Sequence, residues 1–216
     1  MTSIKAPNGL SRRIALFGLG AIPLLAGGCS LPLPGGAQPR LYTLSPKSTY
    51  DPGLPQVDAQ LLVEEPIAAS GLNTARIVLR PDPYQIEYFA SVAWADRAPN
   101  MVQTLLIESF ENSQRIVSVG RETTGLRSDF ILKNELREFQ AEYFGRSVQS
   151  PPDVRVRISS TIIKMPQRLI VKRTEAERVV LAEGGTFRDV VRAFDEALGS
   201  VLGDVVSDTL RIMANA

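Results

Sequence analysis

The single cysteine, Cys29, ends an uncharged apolar segment and follows Ala26-Gly27-Gly28. Only the chain beyond it has to fold, and that chain must hold together without a disulfide. Upstream, Lys5, Arg12 and Arg13 form a positive region with no acidic residue before Cys29, and Ile14 to Leu25 supply an apolar run of about a dozen residues, the layout of a secretory signal peptide. A membrane span needs roughly 20 apolar residues, and Gly18, Gly20 and Pro23 weaken this one further.

Small side chains at Gly27 and Gly28 let a processing enzyme approach the backbone, and the Cys29 thiol is a nucleophile able to carry a diacylglyceryl thioether. The segment therefore resembles a lipobox, with Ala26 where leucine is commonest and the leucine one residue earlier, at Leu25. The alternative, a buried free cysteine acting as a small hydrophobe, would not call for the charged and apolar flanks. Ser11-Arg12-Arg13 matches part of a twin-arginine signal, which leaves the Sec or Tat export route open. The expected organisation is a signal peptide over 1–28, a lipidated cysteine with a Pro/Gly-rich tether over 29–57, and one globular domain over 58–216.

Removing 1–28 takes away three basic and no acidic residues, leaving 21 basic against 23 acidic. A nucleic-acid reader normally carries a clustered basic surface. Here the densest stretch, Arg168, Lys172, Arg173 and Arg178, is diluted by Glu175 and Glu177 and reads as a solvated strand face. There is no histidine, so Ser-His-Asp and Cys-His catalysis and imidazole metal sites are excluded. Ser159, Ser160 and Lys164 lie close in sequence, but hydroxyls and a lysine along a strand are ordinary. No catalytic, metal or cofactor residue is assigned, and the chain reads as a non-enzyme.

In the tether, Pro32, Pro34, Pro39, Pro46, Pro52 and Pro55 favour extended geometry at about 3.1 Å per residue, so the dozen residues from Cys29 to Leu41 hold the domain within roughly 35 Å of a bilayer. Leu41 to Leu44 is a strand-like interruption suited to pairing at the domain's edge. Ala59–Val63 and Ile77–Leu79 read as short buried strands. Pro81-Asp82-Pro83 turns the chain into a hairpin whose second strand ends at Trp94, expected to be buried where the sheet meets the next helix.

Pro99 opens an amphipathic helix with Val102, Leu105, Leu106, Ser109 and Phe110 inward and Gln103, Glu108 and Glu111 outward. A strand over Arg115–Val119 follows. Asp129–Tyr143 fits a helical period or a strand that changes face, and the reading taken is a strand with a bulge near Arg137 or Glu138. Val154, Val156 and Ile158 alternate with Arg155, Arg157 and Ser159, a sheet with one wet face; Leu169–Val180 returns antiparallel. Thr186 caps a final helix with a stripe from Phe187 to Met213, about 40 Å long. That stripe covers the sheet or serves a coiled-coil or oligomer contact, and its end is long enough to overhang.

These segments together, Cys29 and the tether, Leu41-Tyr42-Thr43-Leu44, Leu72-Asn73-Thr74-Ala75-Arg76-Ile77, Ser91-Val92-Ala93-Trp94-Ala95-Asp96 with Pro99, Asp129-Phe130-Ile131-Leu132 with Glu135-Leu136 and Phe139, and the helix around Phe194–Leu198, resemble the ABC-type transport auxiliary lipoprotein family. The resemblance implies an α+β fold, an antiparallel sheet covered by two main helices. It also implies a lipoprotein at the periplasmic face of the envelope, carrying acyl chains such as palmitate on Cys29. Ser30 after the cysteine, rather than aspartate, points to the outer membrane under the enterobacterial sorting rule. The implied partners are an MCE-domain protein with its permease and ATPase, moving phospholipids or other hydrophobic molecules; the paraquat-inducible systems contain such lipoproteins. Homo-oligomerisation stays open. The alternatives are a structural envelope lipoprotein outside transport and a direct lipid carrier with an acyl chain between sheet and long helix.

Overall fold

The computed structural model describes residues 38–121 and 127–216. Its organising element is a 13-residue strand that changes face halfway. The strands are β1 (Arg40–Tyr42), β2 (Val57–Val63), β3 (Ile67–Ala68), β4 (Arg76–Arg80), β5 (Glu87–Trp94), β6 (Ile116–Gly120), β7 (Phe130–Glu142), β8 (Asp153–Lys164) and β9 (Leu169–Leu181). The helices are α1 (Ala98–Ser113) and α2 (Phe187–Ala214).

Along β7, Phe130, Leu132 and Leu136 face the core, and beyond Arg137 the inward positions become Phe139 and Ala141. Pairing with β8 slips by one residue between Leu136 and Glu138, so the expected bulge falls at Arg137. One extra residue reverses the inside-outside parity of everything after it. That is why the segment imitates a helical period in sequence.

The α+β architecture with two covering helices is as expected. The sheet is corrected from antiparallel to mixed. β7–β8–β9 is an antiparallel meander and β4 pairs antiparallel with β5. On its other edge β7 receives three parallel partners in succession: β2 at Leu61↔Phe130, β3 at Ile67↔Glu135 and β4 at Val78↔Gln140. The sheet thus forks, with β6 added parallel to β2 on one branch and β1 parallel to β5 on the other. Periodicity assigns faces but not partners, so the parallel joins could not be read from it.

One face of the sheet is covered by α2. Thr186 caps it with a reciprocal capping box: the Asp189 N–H donates to the Thr186 hydroxyl at 3.4 Å, and the Thr186 N–H donates to the Asp189 carboxylate at 3.2 Å. Hydrogen bonding from the Thr186 hydroxyl, reinforced by its backbone N–H, holds the Asp189 carboxyl below its usual range. Removing a cap of this kind costs about 1 kcal/mol, so Thr186→Ala is expected to lower Tm by about 2–4 °C at neutral pH. A depressed carboxyl contributes stability above its unfolded value and loses it as pH falls through the folded one. The deficit in Thr186→Ala should therefore shrink in melts taken below pH 3.8.

Ahead of the cap, a Cβ on Gly185 would stand 2.4 Å from the Gln149 carbonyl, so only glycine allows this close approach of the α2 entry to the β7–β8 loop.

Phe194, Leu198, Val201, Leu202 and Leu210 are wholly buried against Val154, Val156, Ile158 and Ile162 of β8 in one core. Met213, in the last turn, is also buried. The expected overhang at the end of α2 is absent, because β8 and β9 are long enough to match the helix. Trp94 is buried, and its ring lies 5.5 Å from Phe139 and 5.2 Å from Phe194. Phe194 brings α2 against its ring, and Trp94 shares one core with the inward residues of α1.

α1 opens with Pro99 in its first turn and ends at Gln114 in the left-handed region, φ 53°. Gln103, expected outward, is buried and donates to the Val63 carbonyl at 3.0 Å. The helix is covered over a wider arc than its apolar stripe, and the amide is tolerated there because it finds an acceptor.

Residues 38–57, the downstream part of the expected tether, differ from that expectation by packing on the domain. Leu44 and Leu54 are buried. The Ser45 N–H donates to Asp195 at 2.6 Å, the Lys47 N–H to the Ser109 hydroxyl at 3.0 Å, and the Tyr50 hydroxyl to the Ser109 carbonyl at 2.8 Å. Burial pushes the Tyr50 hydroxyl up to about 12. Proline keeps this strap extended, and its apolar residues fasten it down.

Candidate interaction surfaces

Cys29, the assigned lipidation residue, and the signal segment 1–28 lie outside the described residues. The surfaces that can be built from side chains are the uncovered face of the sheet and the edge of β9.

On the uncovered face, the parity of β7 and β8 brings charges of opposite sign side by side. Arg157 meets Glu138 at 2.6 Å, Arg155 meets Glu142 at 3.1 Å and also Glu177, and Arg137 bridges Glu135 at 3.0 Å and Glu175 at 2.7 Å. The hydrogen bond to Glu135 is the largest influence raising Arg137 above its ordinary value. At Arg155 burial pulls the value down, but Glu177 and Glu142 outweigh it, and the net shift is upward. Exposed pairs contribute little stability singly. Their effect is to consume one another's charge, so these arginines are already engaged and do not form an open anion site.

The β9 edge is different. Among the described residues β9 pairs only with β8, leaving one long side of the strand without a partner. Its start is apolar and exposed: Leu169 is 61% and Ile170 70% accessible. Its middle, Lys172 to Arg178, is charged, the usual guard of a free edge. Arg173 donates to the Thr161 hydroxyl at 3.2 Å and Arg178 pairs with Asp204 at 3.3 Å. The basic stretch is therefore a solvated strand, as read from sequence. What sequence missed is that Leu169-Ile170-Val171 stays uncovered.

Ser159, Ser160 and Lys164 are not brought together. Ser160 is buried and donates to the Asn134 side-chain oxygen at 2.7 Å, its strand neighbour Ser159 points to the opposite face, and Lys164 donates to the Ala216 carbonyl at 2.7 Å. Among the described residues no cluster of acidic or cysteine side chains is arranged to hold a metal, and no helix is long and apolar enough to cross a membrane.

The profile described as ABC-type transport auxiliary lipoprotein component matches residues 42–206, from β1 through most of α2. The chain belongs to this family. The family's description is that of an auxiliary component of ABC-type transport and of a lipoprotein. The crystal structure of protein XCC0632 from Xanthomonas campestris is similar at 27% identity and a TM-score of 0.76, over 81% of this chain and 97% of that one. Another crystal structure, of an uncharacterized protein, shares the fold at a TM-score of 0.61 and 13% identity, over 80% of this lipoprotein and 99% of that chain. The uncharacterized protein bll6063 of Bradyrhizobium diazoefficiens is 27% identical over 180 residues, 81% of this chain and 46% of its own length. This chain thus spans about half the length of that curated relative.

Proposed function

We propose that this auxiliary lipoprotein is a non-catalytic docking element, held by acyl chains on Cys29 at the periplasmic face of the outer membrane. In this reading residues 1–28 are removed on export, the segment from Cys29 to Gln38 links lipid to domain, and residues 38–216 form the working module. Its partner is the MCE-domain component of a transport system that also contains a permease and an ATPase and moves phospholipids or similar hydrophobic cargo. The single observation that carries docking is the free β9 edge with its exposed Leu169-Ile170-Val171 tip, which can take a partner strand by main-chain pairing.

The alternative of a lipid carrier with its acyl chain between sheet and α2 is disfavoured, because that space is filled by fully buried side chains. A structural lipoprotein outside transport fits poorly with the family's description as a transport auxiliary.

The test is the double substitution Leu169→Asp with Ile170→Asp. Both sites are exposed, so stability should change by no more than about 0.5 kcal/mol per site. Capture of the proposed MCE-domain partner should fall about tenfold or more, the loss expected of a central apolar contact, while the membrane-bound fraction stays constant. Unchanged capture would remove the β9 edge from the interface.

A further inference from the structure

A second apolar surface lies at the other end of the sheet, and the direction of the chain says what it meets. Arg80 on β4 pairs with Glu142 on β7, so the β4–β5 loop, residues 81–86, and the β7–β8 loop, residues 143–152, emerge side by side. The Arg80 guanidinium lies over the Phe144 ring at 5.5 Å and also donates to the Pro83 carbonyl, tying the two loops together. Their tips carry Tyr84, 98% accessible, with Ile86, Phe144 and Val148 also exposed. Leu181 joins them, because it pairs with Asp153 at the start of β8. Nearby charges are mixed: Arg80 and Arg146 stand with Asp82 and Glu87, and Arg146 is paired with Asp153 at 2.8 Å. This end presents aromatic and aliphatic groups without a dominant sign of charge.

The chain reaches the domain from this same end. β1 runs parallel to β5 with Arg40 opposite Val92, so the upstream end of β1 is directed toward Glu87 and the two loops. Five residues of strand, Val92 back to Glu87, measure about 17 Å. The eleven peptide units from Cys29 to Arg40 extend to at most about 38 Å. An anchor on Cys29 can therefore stand at most about 21 Å beyond the loop end in this direction.

We propose that the loop end bearing Tyr84, Ile86, Phe144 and Val148 rests on the phospholipid bilayer and orients the anchored domain. The occupant is the headgroup-acyl boundary itself, where exposed tyrosine and aliphatic groups are favoured, and the mixed charge means that anionic lipid is not required. The β9 tip at Leu169 then points away from the membrane, because β9 runs from Leu169, opposite Lys164, to Leu181 at the loop end. The proposal rests on the Cys29 anchor and adds a defined orientation to it.

The test uses the full-length lipidated protein in vesicles of phosphatidylethanolamine and phosphatidylglycerol with brominated acyl chains. Trp94 is the one native tryptophan and is buried, so it serves as the internal reference. Tyr84→Trp introduces an indole at the loop end, and Ile170→Trp places one at the opposite end. The indole from Tyr84→Trp should be quenched about threefold more than that from Ile170→Trp, because interface-seated groups lie about 5–10 Å into the headgroup and acyl boundary. The same ratio should hold in vesicles of brominated phosphatidylcholine alone. Equal quenching at the two sites in protein that sediments with vesicles would overturn the orientation and leave the anchor intact. Dependence on phosphatidylglycerol would overturn the charge-independent contact, and protein that does not sediment would remove the anchor and the orientation with it.

Discussion

Replacing Cys29 with alanine should move the protein from the membrane pellet to the soluble fraction and leave its melting curve unchanged. The two halves of this result follow from different parts of the chain. Each buried CH₂ contributes about 0.8 kcal/mol to membrane partitioning, and two or more chains give stable attachment where one gives only marginal, reversible binding. Nothing in the described domain replaces that: no helix there is apolar enough to span a bilayer, and the loop tips offer only a few side chains. Stability, by contrast, comes from the core, and the only cysteine has no second thiol to pair with. Loss of the anchor should also lower apparent affinity for a membrane-held transport partner by about 10²–10⁴, because tethering acts through effective concentration rather than through new contacts. Fractionation, thermal melts and capture in cells read these effects separately. A Cys29→Ala protein that stays in the pellet and supports transport would end the docking account.

How much of this was legible in the sequence depends on what kind of information each feature carries. The faces were legible wherever a period was unbroken, as in Val154–Ile158 or α2, and even the switch at Arg137 left a trace, since Leu132, Leu136 and Phe139 cannot share one face of a regular strand. Partners were not. The apolar triplet Leu169-Ile170-Val171 has the composition of a buried strand, and it is exposed because β9 is placed last in the sheet, a property of topology that no local pattern encodes. Gln103 misled for the same reason in reverse. Its polarity pointed outward, but the Val63 carbonyl at the end of β2 supplied an acceptor inside. Proline in the strap signalled extended backbone and said nothing about whether that backbone would lie free or be fastened by Tyr50, Leu44 and Leu54. For Cys29 the motif alone carries the assignment.

Phe194→Ala should have the largest effect on the fold. The Phe194 ring sits 5.2 Å from Trp94 on β5 and 5.1 Å from Phe139 on β7, and all three are essentially inaccessible. Truncating a buried phenylalanine costs about 3–5 kcal/mol, from lost transfer energy and the cavity left behind. Against a typical domain stability of about 5–15 kcal/mol this is a large share, and no disulfide offsets it. For a domain of this size the fall in Tm should be about 6–20 °C. Because Trp94 is the only tryptophan, near-ultraviolet circular dichroism reports the altered trio directly, alongside the far-ultraviolet melt. The consequence extends beyond stability. Phe194 fixes α2 against β5 and β7, and the next residue, Asp195, holds the Ser45 N–H of the strap at 2.6 Å. Loosening α2 therefore loosens the strap that sets where the chain leaves for the membrane, so Phe194→Ala should degrade the orientation read by lipid quenching while Cys29 still keeps the protein in the pellet. A shift in Tm of under about 2 °C would mean that the ring trio does not fasten the helix, and the link between core packing and orientation would fall with it.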